Sequence, residues 1–284
     1  MSPRKLKIIS SLLFIVLISF FVVKNCIHKR STEVLPMTHE LPGPVIAPKQ
    51  VTVGPRGQMA IILDDWKYNL ALTDLAVSLH RPITLSILPP DKNSRGKGKS
   101  YSREIASKAH AKGLGVMLHM PMEPKNYKPG DLEADTIMLK TPNAKIVEYL
   151  DSALASVPFV EGVNNHMGSA ATCDERVMST VLKYLKNRNL FFVDSYTIKN
   201  TVCEPIAKQL GLRFARRNVF IDNELKRDAI MAELEKAKKI ALTRGSVVVI
   251  GHDYKVTLKT IQEAIPQFEK EGIQFVLVKD LVTT

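Results

Sequence analysis

Acidic, amide and imidazole side chains recur directly after short apolar runs between residues 59 and 253. Three of the seven histidines occupy such run-end positions. Helix capping explains Asp, Asn and Ser at these places, and it accounts for Ser195, Asn223 and Asp253, but histidine is not a favoured cap. The run-end groups are Asp64-Asp65, His119 with Glu123, Asn164-Asn165-His166, Asp194-Ser195, Asp222-Asn223 and His252-Asp253.

Converging Asp and His side chains suit Zn²⁺ or a similar divalent metal ion. The three cysteines include no CxxC pair, so the sequence does not predict a thiolate metal site, although Cys173 and Cys203 could pair. One Asp and two His as ligands leave an open position for water, and a further Asp and His remain for proton transfer. This inventory predicts metal-assisted hydrolysis of an amide or ester. Phosphoesterases and metal-dependent aldolases or isomerases use the same residue types and stay open as alternatives.

The polar groups follow segments with strand character in a regular alternation of strands and helices. Helical patterns lie between the strands, and five of them end in Gly or Asn, which supplies the left-handed conformation that stops a helix. The predicted strands are Met59–Leu63, Ile83–Leu88, Gly115–Leu118, Phe159–Val163, Leu190–Val193, Arg213–Ile221, Val247–Ile250 and Phe275–Val278. The predicted helices are Ser100–Lys112, Ala144–Ala155, Glu175–Lys186, Pro205–Leu210, Lys226–Thr243 and Leu258–Lys270.

Such strand–helix repeats predict an α/β fold with a parallel sheet and helical crossovers. Continuous apolar strands favour a distorted (β/α) barrel of about seven to eight parallel strands, with a doubly wound sheet as the alternative. A dinucleotide-binding sheet would carry a glycine-rich turn after its first strand, where Asp64-Asp65-Trp66 stands instead. Because the carboxyl ends of barrel strands meet at one face, the polar groups should converge there.

The net charge of +12 is concentrated at the N-terminus. Residues 1–30 contain six basic residues and no acidic one, while the rest of the chain has 34 basic against 28 acidic residues. The six basic residues flank the 16-residue apolar run Ile8–Val23. This arrangement predicts a membrane segment rather than a nucleic-acid partner. The sequence shows no zinc-finger spacing and no RNA-binding aromatic motif, so nucleic acid is not expected as a partner.

The apolar run predicts an uncleaved signal anchor within residues 1–30. Cleavage requires small residues after the run, and Lys24–Cys26 follow instead. Residues 31–57, which are rich in Pro and Gly, predict a semi-extended tether, and residues 58–284 form the predicted folded domain. A short N-terminus before a large domain favours a single pass with the domain outside.

The strand-end segments also resemble a known family over about Met59 to Leu281. The resemblance is carried by Ala60-Ile-Ile-Leu-Asp-Asp65, Leu118-His-Met-Pro-Met-Glu-Pro124, Gly162-Val-Asn-Asn-His-Met-Gly-Ser169, Phe192-Val-Asp-Ser195, Val219-Phe-Ile-Asp-Asn223 and Ile250-Gly-His252. These segments closely resemble the divergent polysaccharide deacetylase family, a distant relative of the NodB-type carbohydrate esterases.

The resemblance implies a distorted (β/α) barrel that performs metal-dependent N-deacetylation of an acetylated glycan. In the wider superfamily an acidic pair supplies a base and a metal ligand, which map onto Asp64 and Asp65. A late Leu-x-His motif donates a proton to the leaving amine and maps onto His252. Together with the anchor, the family implies a protein of the bacterial inner membrane whose domain lies on the periplasmic side.

The superfamily's second motif places two histidines four residues apart, and here it reads His119 and then Glu123. We therefore expect Asp65, His119 and His166 to hold the metal, with His166 replacing the missing imidazole. Glu123 is expected as a fourth ligand or as a partner that orients an imidazole. Three further residues are expected beside the ligands or the substrate: Asn165, Asp194 and Asp222.

Two departures from the superfamily pattern favour an alternative function. The second motif lacks its histidine pair, and the sequence shows no equivalent of the arginine motif that orients the base. The barrel could then be an envelope module that binds a glycan or a division-machinery protein without hydrolysis. The basic loop Asp91–Lys99 on the same face is either a solvated loop or a contact for an anionic polymer or phospholipid headgroups.

Overall fold

A computed structural model describes residues 54–90, 100–128 and 130–284. The predicted anchor, most of the predicted tether and the basic loop 91–99 lie outside these residues. In the part of the chain that is described, no helix is long and apolar enough to cross a membrane.

The described residues form nine parallel strands and seven α-helices that alternate along most of the chain. The strands are β1 (Gly57–Trp66), β2 (Thr84–Ile87), β3 (Gly115–Met122), β4 (Gly162–Met167), β5 (Phe191–Asp194), β6 (Phe214–Arg216), β7 (Val219–Phe220), β8 (Ser246–His252) and β9 (Ile273–Val276). The helices are α1 (Leu70–Val77), α2 (Ser102–Ala111), α3 (Asn143–Ser156), α4 (Glu175–Asn187), α5 (Cys203–Leu210), α6 (Arg227–Arg244) and α7 (Lys255–Lys270).

The sheet has the strand order β6-β5-β4-β3-β2-β1-β8-β7, and β9 pairs with the first residues of β1. The predicted α/β class and parallel sheet are confirmed, and the sheet curls into a half-barrel. The expected barrel is not closed by pairing at every edge, because β6 and β7 are the two ends of the strand order and do not pair with each other.

The single strand predicted over Arg213–Ile221 is wrong, because this segment forms two strands on opposite edges of the sheet. The Arg217 N–H donates to the Asp194 carbonyl after β5, whereas the Asn218 N–H donates to the Val248 carbonyl in β8. The chain therefore crosses the open seam between these two residues. A continuous apolar run indicates burial but does not reveal that the backbone changes its pairing partner.

The helix predictions hold except for α1, which the sequence analysis missed. This helix has only eight residues and is preceded by its N-cap Asn69, whose side chain accepts a hydrogen bond from the Leu72 N–H. The predicted helix stops are confirmed, since each has a positive φ: Gly113, Asn189, Gly211, Gly245 and Gly272. Both cysteines of the described domain, Cys173 and Cys203, are free thiols.

The core has an outer layer between sheet and helices and an inner cluster enclosed by the curled sheet. Side chains alternate between the two layers along each strand, as the two-residue period of a strand requires. In β1, Ala60 and Ile62 face inward and Asp64 is the next inward position. The inner cluster is apolar near the amino ends of the strands, and polar side chains take over at the carboxyl ends.

Candidate active site

The inward-facing rows of neighbouring strands supply most of the candidate residues. In β3, His119 follows Met117 by two residues, and in β8, His252 follows Ile250 by two. In β4, Asn164 and His166 occupy consecutive inward positions. Because all of these strands are parallel, their carboxyl ends bring these side chains together above the inner cluster.

Asp64 and Asp65 both face this site although they are consecutive residues. Successive side chains of a regular strand point to opposite faces. Asp65, however, has a left-handed backbone with φ of 67°, and the pairing of β1 with β2 shifts register between Leu63 and Trp66. Such a conformation costs on the order of 1–3 kcal/mol and is often found at functional sites.

Asp65, His119 and His166 bring three ligand atoms together. Asp65 Oδ1 lies 3.2 Å from His119 Nε2 and 3.0 Å from His166 Nδ1, and the two ring nitrogens are 3.2 Å apart. A tetrahedral site with bonds of about 2.0–2.1 Å places its ligand atoms roughly 3.3 Å apart. Asp65 Oδ1 is buried without a hydrogen-bond partner among the described residues. Two nitrogens and one oxygen in this arrangement fit a divalent cation of the zinc type.

Asn164 connects this triad to Asp64; the sequence analysis named it among the run-end polar residues but assigned it no role. Its Oδ1 lies 2.8 Å from His119 Nδ1, and its Nδ2 donates to Asp64 Oδ1 at 2.9 Å. With an amide oxygen at Nδ1, the His119 ring keeps its proton there and presents the Nε2 lone pair to the triad. The strand period could have identified Asn164, because it lies two residues before His166.

Three other expected residues hold loops and do not join the triad. Asn165 accepts from the Ser195 N–H and donates to the Met167 carbonyl, at 2.9 and 2.7 Å. Asp194 accepts from the Tyr196 N–H at 2.7 Å. Glu123 accepts from the N–H of Leu139, so its carboxylate belongs to the β3–α3 loop.

Asp222 fixes His252 at the edge of the triad. Its Oδ1 lies 2.9 Å from His252 Nδ1, and its Oδ2 accepts from the His252 N–H and from the Thr257 hydroxyl. His252 Nε2 then lies 3.8 Å from Asp65 Oδ2. Burial alone would lower the pKa of His252, but the hydrogen bond and charge of Asp222 outweigh it and raise the pKa.

The two aspartates differ in their electrostatics. Burial raises the pKa of Asp64, and the opposing effects of His119 and the Asn164 hydrogen bond do not cancel it. Burial would also raise the pKa of Asp65, but His119 and His166 hold it well below its usual range. Burial alone would lower the pKa of His119, yet the two aspartates raise it to about 9. One carboxylate is thus a base candidate, and the other remains ionised as a ligand.

Two further carboxylates at the site were not singled out from the sequence. Glu133 Oε2 lies 3.8 Å from His166 Nε2 and is buried without a hydrogen-bond partner among the described residues. Burial and then the charge of Asp65 raise the pKa of Asp253 to about 7. Glu133 lies in the long β3–α3 loop, where no periodic pattern could have placed it, and Asp253 had been explained as a cap.

An arginine also lies close to the base candidate. Arg217, at the seam crossing, donates to the carbonyls of Ser195 and Tyr196. Burial lowers its pKa, and the charges of Asp64 and Asp194 act in the opposite direction. The hydrogen bonds of the Arg217 guanidinium among the described residues go to these carbonyls, so Arg217 acts on Asp64 through its charge.

Comparison with known proteins identifies the family. The sequence profile of the divergent polysaccharide deacetylases matches residues 61–282. The chain belongs to the divergent polysaccharide deacetylase family. Among its relatives, the uncharacterized protein YibQ of Escherichia coli (strain K12) is 32% identical over 209 residues, which cover 74% of this chain and 62% of YibQ. The chain therefore spans less than two thirds of that relative's length.

A second relative and a crystal structure extend the comparison. An uncharacterized protein of Haemophilus influenzae is 30% identical over 221 residues, which cover 78% of this chain and 75% of that protein. The crystal structure of an uncharacterized protein from Agrobacterium tumefaciens C58 matches with a TM-score of 0.72 at 20% identity, covering 81% of this chain and 90% of that one. This likeness supports the half-barrel fold of the described domain.

A cavity of about 210 Å³ lies beside Glu133. Pro89, Pro90, Met120 and Pro121 form an apolar wall, and Glu133 stands between this cavity and His166. The space is smaller than an ordinary ligand pocket of about 300–1,000 Å³.

Proposed function

We propose that this protein is a metal-dependent hydrolase that removes N-acetyl groups from an envelope polysaccharide. The observation that carries the proposal is the convergence of Asp65 Oδ1, His119 Nε2 and His166 Nδ1 within 3.2 Å of one another. A buried carboxylate and an oriented imidazole, Asp64 and His252, flank this triad. Membership of the divergent polysaccharide deacetylase family supports an acetylated glycan as the substrate.

Asp64 is the proposed general base. Asp65, His119 and His166 would hold Zn²⁺ or a similar cation, which when bound lowers the pKa of water and polarises the acetamide carbonyl. Asp64 Oδ1 is occupied by Asn164, while Oδ2 faces the triad at 3.7 Å from His119 Nε2. Burial raises the pKa of Asp64, which strengthens the carboxylate as an acceptor of the proton of the attacking water.

His252 is the proposed general acid. Asp222 binds its Nδ1, so the proton to be transferred resides on Nε2, which faces the site. The raised pKa of His252 favours the protonated imidazole. As the C–N bond breaks, the Nε2 proton passes to the departing nitrogen, and an amine and acetate are released.

Metal content and acetate release test the proposal together. The full chain, purified in detergent, should bind zinc or a similar metal near stoichiometrically and release acetate from N-acetylated chito-oligosaccharides. His119→Ala should lose both properties, whereas His110→Ala, which removes an exposed imidazole of α2, should retain them. A wild-type protein without metal after reconstitution would contradict hydrolysis. Such a result would favour the non-enzymatic module that binds a glycan or a division-machinery protein.

We also propose that the domain works on the periplasmic side of the bacterial inner membrane, anchored through Ile8–Val23. The apolar run, its basic flanks and the tether that follows support this location. Alkaline phosphatase fused to the C-terminus of the full chain should be active, because that enzyme requires export to fold. The topology would be contradicted if the phosphatase fusion were inactive and a second fusion, to a reporter that fluoresces only in the cytoplasm, were fluorescent.

A further inference from the structure

Exposed large apolar side chains are concentrated on one face of the described domain. Seven such side chains occur among the described residues, and six lie at or after the carboxyl end of a strand, before the next helix. The six are Tyr68, Tyr127, Leu139, Met167, Leu225 and Tyr254. The seventh, Phe159, precedes β4 and therefore lies at the opposite end of the sheet.

Single exposed apolar residues are common on proteins, so their number alone decides little. The positions of two of them are informative. The Tyr254 ring lies 5.7 Å from the His252 imidazole between ring centres, and Met167 directly follows His166. In the strand order, β3, β2 and β1 lie between β4, which ends in Met167, and β8, which Tyr254 follows.

The backbone holds both side chains in place. Tyr254 directly precedes α7: its N–H donates to the His252 carbonyl, and its carbonyl accepts the Leu258 N–H. Met167 has a left-handed backbone with φ of 56°, and its carbonyl accepts hydrogen bonds from Asn165 and Thr197. A methionine in this conformation is strained, and such strain is typical of functional positions. Both side chains are therefore presented to solvent by ordered backbone.

The charges around Tyr254 indicate which ligand it suits. Burial, followed by the carboxylates of Asp65, Asp222 and Asp253, raises the pKa of its phenol. These carboxylates make the surroundings unfavourable for an anionic lipid surface. A sugar ring is uncharged and has an apolar face of C–H groups, which matches an exposed aromatic ring. Its deacetylated product carries an ammonium group, which the same carboxylates attract.

We infer that Tyr254 and Met167 form a stacking subsite that holds a pyranose ring of a glycan chain over the Asp65–His119–His166 triad. The inference rests on the proposed function for its substrate class. Tyr254 supplies the principal contact through the face of its ring, and Met167 closes the opposite side. The amide to be cleaved is thereby kept between Asp64 and His252.

Binding without turnover tests the subsite. The full chain in detergent, freed of metal with a chelator, is titrated calorimetrically with an N-acetylated chito-oligosaccharide. Tyr254→Ala should weaken binding roughly tenfold, because the apolar contact with the sugar face is lost. Tyr254→Phe should bind as the wild type does, since it keeps the ring. Phe159→Ala is the matched control at the opposite end and should leave the affinity unchanged.

Three outcomes would overturn the subsite: no binding by the wild type, wild-type affinity in Tyr254→Ala, or equal weakening by Phe159→Ala. The zinc affinity of Tyr254→Ala, measured in parallel, should equal that of the wild type. Equal affinity would show that the substitution leaves the Asp65–His119–His166 triad intact. Acetate release from a small acetylated amine by the zinc-loaded protein separates the two proposals. Acetate release by a protein that does not bind the oligosaccharide would contradict the subsite but would still support the proposed hydrolase activity.

Discussion

Two imidazoles of the site, His119 and His252, have different partners on the ring nitrogen that is turned away from the triad, and each partner matches the proposed role. The ligand His119 faces the neutral amide of Asn164, whereas His252 faces the carboxylate of Asp222. An amide fixes the tautomer of a ligand without adding charge. A carboxylate additionally raises the pKa, which suits a proton donor. The residue bonded to the second ring nitrogen thus distinguishes the proposed ligand His119 from the proposed acid His252.

Asn164→Ala should lower zinc affinity by roughly 10–100-fold, because His119 loses the partner that fixes its tautomer. It should also lower the free energy of unfolding by about 1–3 kcal/mol, since a buried hydrogen bond to Asp64 is lost. Competition with a chromogenic chelator and urea denaturation measure the two effects. Asn165→Ala is the matched control: it should destabilise through the loop bonds to Ser195 and Met167 but keep zinc affinity. Equal zinc affinity in both variants would contradict the role of Asn164.

Asp222→Asn should move the alkaline limb of the pH–rate profile to lower pH. A general acid must be protonated, so kcat/KM falls as the pH rises through the pKa of His252. Asp222 raises that pKa, and its neutralisation therefore lowers it. The profile of acetate release from an N-acetylated chito-oligosaccharide measures the shift. An unchanged limb would show that another group donates the proton.

At the scale of elements, the ends of β1 and β4 decide whether the site forms. The register shift at the end of β1 turns Asp65 toward the triad, and β4 delivers both Asn164 and His166. The position of β4 depends on Gly162, where an added Cβ would come within 2.2–2.5 Å of the Phe191 ring in the neighbouring strand β5. A side chain at Gly162 would push these two strands apart.

Gly162→Ala should lower the free energy of unfolding by about 1–3 kcal/mol through overpacking. It should also weaken zinc binding, because the displaced strand carries His166 four residues further on. Adding Phe191→Leu should recover part of both losses, since the smaller side chain makes room for the new methyl group. Urea denaturation and chelator competition on the two single variants and the double variant measure the coupling. Strictly additive effects would contradict this steric explanation.

At the scale of the whole molecule, the triad connects strands that are distant in the chain. Asp65 comes from β1, His119 from β3 and His166 from β4, so a cation bound to them would cross-link the sheet. A ligand that binds only the folded state stabilises it by RT ln(1 + [L]/Kd). Metal binding should therefore be visible in the stability of the domain.

Zinc at about one hundred times its Kd should stabilise the domain by about 2.7 kcal/mol. For a domain of this size the corresponding rise in Tm is roughly 5–11 °C. His166→Ala should abolish most of the rise, and His80→Ala, which removes an exposed imidazole before the amino end of β2, should preserve it. Scanning calorimetry with and without zinc measures the effect. An equal rise in His166→Ala would exclude His166 as a ligand.

The sequence by itself determined the α/β class, the parallel strands, six of the seven helices and the motif residues at the strand ends. These follow from local periodicity, helix-stop residues and the rule that parallel strands gather their carboxyl ends at one face. Only the tertiary structure decided how the backbone turns Asp65 to the same side as Asp64, that Asn164 rather than Asn165 contacts the triad, and that Glu133 lies near His166. It also divided the segment Arg213–Ile221 between the two edges of the sheet. These features depend on backbone dihedrals and on pairing between distant strands, which no local pattern of residue types encodes.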